Sequence, residues 1–246
     1  MNKYIGIIPA RYGSTRFEGK PLCDIKGKPM IQWVYESAMK WDKWKAVYVA
    51  TDSQKIHQAC SELGIDCIMT SELHSDCLDR AAEVVKILES DGRGCEKYIV
   101  IQGDEPLFNV ETLNVDLSPS IVNFYTESID DMYEVNSVKV TLSQNQRALY
   151  YSRYSIPYHG NYTKRGNPKK IIYKQIGVYM FTGEMLRLYN ALQPTYLENM
   201  EGIGLNRLIE NDVDVFMRYT PHDSRSVDTP SDRDRIIEIL EEQENG

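Results

Sequence analysis

The chain has 246 residues, 42% of them hydrophobic and 26% charged, enough to bury a proper core as one α/β domain with room for a sizeable insertion. Nothing approaches an apolar run of about 18 residues, and Tyr4 to Ile8 is too short and too poorly flanked for a signal peptide, so a soluble, cytoplasmic chain without membrane insertion is expected. A net charge of −8 with scattered basic residues argues against a nucleic-acid binder, and five cysteines without a CxxC spacing indicate neither a disulfide framework nor a zinc site.

Tyr4 to Ile8 is a short apolar run that stops at Pro9, as a buried parallel strand does. A polar, glycine-bearing loop follows, then helical spacing from Pro29 to Met39 and a second buried strand from Ala46 to Ala50. The pattern continues with a helix from about Ser53 to Leu63, a strand from Asp66 to Met69, a helix from about Leu78 to Leu88 and a strand from Tyr98 to Ile101. Strand and helix alternating through short connections predict an α/β fold with a doubly wound, mostly parallel sheet. Ligands of such sheets sit beyond the carboxyl ends of the strands, so the loops starting at Pro9, Thr51, Thr70 and Gln102 should converge on one crevice.

After about Phe108 the alternation loosens. Val138 to Leu142 and Ile171 to Phe181 read as strands, separated by a Tyr-rich, Pro-containing stretch from Tyr150 to Tyr158, and the tail after about Glu241 looks frayed. Within the single domain, about 1–108 is expected to be the nucleotide-binding half, about 109–225 an acceptor-binding and subunit-contact region, and about 226–246 the segment that ends in a C-terminal helix.

The loop Pro9-Ala-Arg-Tyr-Gly-Ser-Thr-Arg-Phe-Glu-Gly-Lys-Pro21 carries Arg11, Arg16 and Lys20, two glycines, and the hydroxyls of Ser14 and Thr15. A triphosphate needs this mixture: glycine lets backbone N–H groups approach its oxygens, while guanidinium and ammonium groups neutralise its charge. The spacing matches neither GxxxxGK[ST] nor GxGxxG. Ile101-Gln-Gly-Asp-Glu-Pro106 sets Asp104 just past a strand, where a carboxylate can hold Mg²⁺ against nucleotide phosphates. Ser226-Val-Asp-Thr-Pro-Ser-Asp232 offers Asp228 ahead of a final helix. As bare residues these aspartates fit a capping or surface role better, since Asp is common at turns and helix starts. The four histidines, His57, His74, His159 and His222, show no metal-ligand spacing.

The loop resembles the IPARxxSTRLPGKPL signature of 3-deoxy-manno-octulosonate cytidylyltransferases, the CMP-Kdo synthetases, with Phe17 and Glu18 where Leu and Pro are usual. Asp24 to Ile31, the Gln102 to Pro106 stretch (family V-Q-G-D-E-P), the Val227 to Asp232 stretch (family V-D-T-P-E-D), Asn136 to Val140 and Ala148 to Pro157 extend the resemblance over most of the chain. It implies a fold of the nucleotide-diphospho-sugar transferase type and transfer of CMP from CTP to a 2-keto-3-deoxy sugar acid, with release of pyrophosphate, for surface polysaccharide or lipopolysaccharide synthesis. It further implies Mg²⁺ on Asp104 and Asp228, nucleotide contacts from Pro9, Ala10, Arg11, Ser14, Arg16, Lys20, Thr70 and Gln102, and a homodimer. Lys20, Arg11 and Asp104 would carry the catalysis. On the acceptor side it points to Arg80, Arg153, Gln175, Tyr179 and Glu198, with a structural ion pair as the alternative for Arg80 and Arg153.

Three acceptor-side motifs depart from the family. H-x-S-G-T-E-R becomes His74-Ser-Asp-Cys-Leu-Asp-Arg80, R-H-x-G-x-Y becomes Lys174-Gln-Ile-Gly-Val-Tyr179, and a Glu-Gln pair becomes Gly204 and Leu205. A site built to hydrogen-bond a sugar loses discrimination when such groups change. The alternative is therefore a nucleotidyltransferase of the same scaffold acting on a different acidic or phosphorylated acceptor. A silent nucleotide-binding protein would lack a metal carboxylate or a loop cation, and this sequence has both.

Overall fold

The computed structural model describes residues 3–14, 16–74, 76–158 and 171–245. The expectations that touch Thr15, Ser75 and His159 lie outside the described residues.

Strand β1 (Tyr4–Pro9) is followed by a two-residue hairpin, β2 (Asp24–Ile25) and β3 (Lys28–Pro29), which leads into helix α1 (Met30–Ala38). Then come β4 (Trp44–Thr51), α2 (Gln54–Glu62), β5 (Cys67–Met69), α3 (Cys77–Ser90) and β6 (Lys97–Ile101). The second half adds β7 (Ile121–Ser128), β8 (Lys139–Leu142), β9 (Ala148–Ser152) and β10 (Ile172–Thr182). It ends with α4 (Gly183–Ala191), α5 (Tyr196–Glu201), α6 (Leu205–Glu210), β11 (Phe216–Tyr219) and α7 (Pro230–Asn245).

The main sheet runs β11-β7-β10-β6-β1-β4-β5, with β8 on β10 and β9 on β8. Strands β6, β1, β4 and β5 are mutually parallel, the doubly wound half that alternation predicts. The chain leaves β1 for β4 and β5 on one side and returns to β6 on the other. Connections therefore reverse between β1 and β6, and such a switch point opens a crevice at the carboxyl ends of the two strands. The two loops that follow them are in contact: a Cβ on Gly103 would collide with the Pro9 carbonyl.

Each face of the sheet is covered because each helix carries an apolar stripe at helical spacing. Ile31, Val34 and Ala38 of α1 pack with Ile56 and Cys60 of α2 on one face. On the other lie Leu78, Ala81, Val84, Val85 and Leu88 of α3, with Leu186 and Tyr189 of α4. A third cluster joins Val227, Ile236 and Leu240 to Ile25 and Met30, so the terminal helix docks on the hairpin next to the phosphate loop.

The second half differs more from expectation. Strand β10 is antiparallel to both β6 and β7, and its register breaks between Ile176 and Tyr179. The Tyr-rich stretch begins as a strand, β9, rather than a connection, because Tyr151 turns wholly into the core. Helix α7 continues to Asn245, past the point where fraying is expected, and Lys26 Nζ holds Glu244 Oε2 at 2.5 Å. Among the described residues no helix is long and apolar enough to cross a membrane.

Candidate active site

The phosphate loop owes its shape to Gly19, whose φ of 68° lies in the left-handed region that favours glycine. Its N–H donates to the Tyr12 carbonyl at 2.9 Å, and a 3₁₀ turn over Lys20–Leu22 with buried Pro21 follows. That turn sends the Lys20 side chain inward, leaving it 13% exposed. Its Nζ lies 2.7 Å from Asp104 Oδ2, 3.0 Å from Asp228 Oδ1 and 3.1 Å from the Val227 carbonyl. Burial alone would lower the Lys20 pKa, but Asp104 and Asp228 outweigh it and hold the ammonium above its ordinary value. Arg16 reaches the same Asp228 Oδ1 at 3.0 Å through Nη2, while Nη1 donates to Asn136.

The distant aspartates meet for a local reason. Val227 is fully buried in the third cluster, and its N–H donates to the Asp104 carbonyl at 2.8 Å, so Asp228 is fixed beside Asp104. Asp232 closes the start of α7 with a capping box: it accepts from Thr229 N at 2.8 Å while its own N–H donates to Thr229 Oγ1. The expected metal pair is thus together, and Asp104 Oδ1 is buried with no hydrogen-bond partner among the described residues. Among those residues no group of three or more His, Cys, Asp or Glu is placed to hold a metal. Two hard oxygen donors with one orphaned oxygen suit a cation such as Mg²⁺, which typically takes one or two carboxylates and completes its shell from substrate phosphates and water.

Two adjoining cavities, of about 300 Å³ and 500 Å³, share a common wall that includes Arg16, Asp76, Cys77, Gln102, Asp104 and Asp228. The smaller is lined by Pro9, Ala10, Arg11, Ser14 and Lys20, the expected nucleotide set. Thr70 is absent from both linings. It is buried, and its hydroxyl accepts from Arg80 Nη1 at 2.6 Å. Arg80 also differs from expectation: it lines the smaller cavity rather than the larger, is buried, and pairs with Asp52 at 2.7 Å, the structural ion pair left open by the sequence.

The larger cavity is lined by Arg153, Gln175 and Tyr179. The Arg153 guanidinium donates only to carbonyl oxygens, those of Glu201, Val135 and Gly202, so no carboxylate cancels its charge at hydrogen-bond range among the described residues. Tyr179 Oη accepts from Gln102 Nε2 at 2.7 Å and from Gln175 Nε2 at 3.0 Å. With both acceptor positions filled, its proton is free to donate elsewhere, and burial raises its pKa well above the ordinary tyrosine range. One phenol thereby ties the two halves together.

Glu198 does not belong to this set. It lines neither cavity and is buried against Arg207, whose Nη2 and Nε lie 2.5 and 2.8 Å from its oxygens. Arg207 is 2% exposed and also holds Asp79 at 2.9 Å, so Glu198 is half of a structural ion pair. The departing residues, by contrast, do meet at the crevice. Asp76, Cys77 and Gly204 line the larger cavity, and a Cβ on Gly204 would collide with the Asp76 carboxylate and the Tyr189 hydroxyl, which are hydrogen-bonded to each other. The missing side chain at Gly204 is what makes room for Asp76.

Sequence reasoning missed Glu105. Fully buried beside Asp104, it accepts from Gly177 N at 3.1 Å and Ser224 Oγ at 2.7 Å, joining the Asp104 loop to β10 and to the segment that carries Asp228. Burial first, then the Asp104 charge, pushes its pKa up to about 7. Its place directly after Asp104 was the available signal.

A switch-point crevice with a cationic loop on one wall and paired carboxylates on the other defines a nucleotidyltransferase. The chain belongs to the cytidylyltransferase family, which matches residues 5–215. It is 37% identical to a 3-deoxy-manno-octulosonate cytidylyltransferase of Syntrophobacter fumaroxidans over 97% of both chains. It is 36% identical to one of Parabacteroides distasonis over 98% of this chain and 99% of that protein. Among solved structures, a CMP:2-keto-3-deoxy-manno-octonic acid synthetase complexed with CTP superposes with a TM-score of 0.85 at 32% identity, covering 98% of this chain and 99% of that one.

Proposed function

We propose that the chain transfers CMP from CTP to 3-deoxy-manno-octulosonate or a related 2-keto-3-deoxy sugar acid, releasing pyrophosphate. The observation that carries this reading is the convergence of Lys20, Arg16, Asp104 and Asp228 between two adjoining cavities. The similar proteins named above supply the nucleotide and the acid.

CTP lies in the smaller cavity, its triphosphate neutralised by Arg11, Arg16 and Lys20 and hydrogen-bonded by Ser14. The acid lies in the larger one, its carboxylate on Arg153 and its hydroxyls within reach of Gln175 and Tyr179. The anomeric oxygen attacks the α-phosphorus, the bond to the pyrophosphate oxygen breaks, and the hydroxyl proton is released. Catalysis of this kind rests on positioning and charge neutralisation. The Cys77 thiol at the crevice is no rival nucleophile, because burial, then Asp76, pushes its pKa well above the ordinary range and keeps it protonated. Mg²⁺ held by Asp104 and Asp228 would neutralise phosphoryl charge and lower the pKa of the attacking hydroxyl.

Of the altered residues, Gly204 lines the larger cavity and Asp76 and Cys77 line both, and this favours an acceptor that differs from 3-deoxy-manno-octulosonate in the part held there. Exposed Leu149, Tyr154, Tyr158, Tyr196 and Met200 support a homodimer through this half. Pyrophosphate release, measured with each of the four nucleoside triphosphates across a panel of acidic sugars, tests the reading. CTP with a 2-keto-3-deoxy acid should be the productive pair, and Asp104→Ala should abolish release while the circular dichroism spectrum is kept. Undiminished turnover by that folded variant refutes the assignment.

A further inference from the structure

Lys20 stands where the metal reading needs an open site. Its three ammonium protons are all committed, to Asp104 Oδ2, Asp228 Oδ1 and the Val227 carbonyl, and an ammonium has no fourth to offer. It engages one oxygen of each aspartate that would hold a divalent cation. Charge is balanced as well: Asp104 and Asp228 face Lys20 and Arg16, two carboxylates against two cations, so the pair presents no net negative charge to a metal. Lys20 and Arg16 also line the smaller cavity, beside Arg11 and Ser14. A triphosphate entering there, where Asp104 and Asp228 also reach the wall, offers both cations new partners.

We propose that Lys20 keeps the metal site closed until a nucleoside triphosphate arrives, so that the divalent cation binds together with the nucleotide and not before it. The inference rests on the functional reading above. In the resting chain the Lys20 ammonium stands in for the metal, satisfying Asp104 and Asp228. When phosphate oxygens draw Lys20 and Arg16 into the smaller cavity, both carboxylates are released at the moment the phosphates bring the remaining oxygen ligands. Lys20 then has two successive roles, cation for the aspartates and cation for the phosphates. Asp104 Oδ1, buried and unpartnered among the described residues while Lys20 occupies Oδ2, is the oxygen left over in the closed arrangement.

The test is metal binding by the folded protein without turnover. Mn²⁺ is titrated into wild type, Lys20→Met and the Lys20→Met/Asp104→Asn double variant with and without CTP and with no acceptor present, free Mn²⁺ is read by electron paramagnetic resonance, and binding is counted as the uptake beyond that of the same CTP concentration without protein. Wild type should bind Mn²⁺ only when CTP is present. Lys20→Met should bind it without CTP, at least about tenfold more tightly than wild type, as loss of a competing charge at contact distance requires, and the double variant should lose that gain. Lys20→Gln, also uncharged, serves should the Met variant fail to fold, as judged by circular dichroism.

Mn²⁺ binding to wild type without CTP, as tight as to Lys20→Met, overturns the proposal. So does the absence of any gain in both Lys20 variants while wild type still takes up Mn²⁺ with CTP. Failure of the functional reading would look different: no pyrophosphate from CTP with any acid, whatever the Mn²⁺ titrations give.

Discussion

Replacing Glu198 with alanine separates an acceptor-binding role from a structural one. The side chain accepts from Arg207 Nη2 at 2.5 Å and Nε at 2.8 Å, and from the Thr195 N–H at 3.2 Å, where it forms part of the capping box of α5. Arg207 cannot turn to solvent, being 2% exposed. Breaking a buried ion pair from one side costs about 3–5 kcal/mol, since the partner charge is left uncompensated. Asp79 at 2.9 Å still faces Arg207, and the Tyr189 carbonyl lies 3.2 Å from it, so the lower end applies. A loss of about 3 kcal/mol in a chain of this size lowers the melting temperature by roughly 6–12 °C. Calorimetry should show that fall, while the KM for the sugar acid, measured well below the new transition, stays with wild type. An unchanged melting temperature together with a raised acceptor KM would return Glu198 to the acceptor site and refute the reasoning.

Arg153→Met should raise the KM for the acid by about tenfold to a hundredfold and leave that for CTP unchanged, since a hydrogen bond to a charged group contributes about 1.5–3 kcal/mol; steady-state kinetics with each substrate varied checks it. Glu105 gives a pH signature in protein freed of metal by chelator. Its folded pKa of about 7 lies above the 4.5 of the ordinary carboxyl, so the folded state holds the proton more tightly and the stability this contributes is fully present below about pH 4.5. That stability is lost as pH rises through about 7, by roughly 3 kcal/mol, since each tenfold gain in proton affinity corresponds to about 1.4 kcal/mol. Denaturant melts from pH 4.5 to 8 should show the decline, and Glu105→Gln should flatten it; a wild-type slope that survives the substitution assigns the effect to other groups.

What the sequence disclosed follows the range over which its signals act. Strand β1 and the loop after it were legible because an apolar run ending at Pro9 is a local pattern, and a cluster of Arg11, Arg16 and Lys20 needs no partner to be seen. The parallel half followed, since β4, β5 and β6 alternate with helices at short spacing. Strand β10 was visible as a strand but not as the antiparallel bridge between β6 and β7, because direction is set by pairing and pairing is not local.

The site divides along the same line. Nothing in the residues themselves tells that Asp104 and Asp228 meet; the cause is a backbone bond from Val227 to Asp104 and the burial of Val227 under α7, both products of tertiary packing. Resemblance supplied that pairing, and resemblance also placed Glu198 among the acceptor contacts. It did so because an acidic residue at a matching position looks the same whether it faces a cavity or an arginine. The turn at Gly202, with φ at 63°, joins α5 to the segment leading into α6, and Arg207 on α6 lies against Glu198. Composition cannot report such a turn's outcome. Thr70 and Arg80 make the same point from the other side: each has the chemistry of a ligand contact, and in the fold each has the other as its partner. Polar residues near a crevice are therefore best sorted by what already satisfies them. By that measure the Arg153 guanidinium, held among the described residues by carbonyls alone, is the one to test against an acid, whereas Arg80 and Arg207 have given their charges to Asp52 and Glu198.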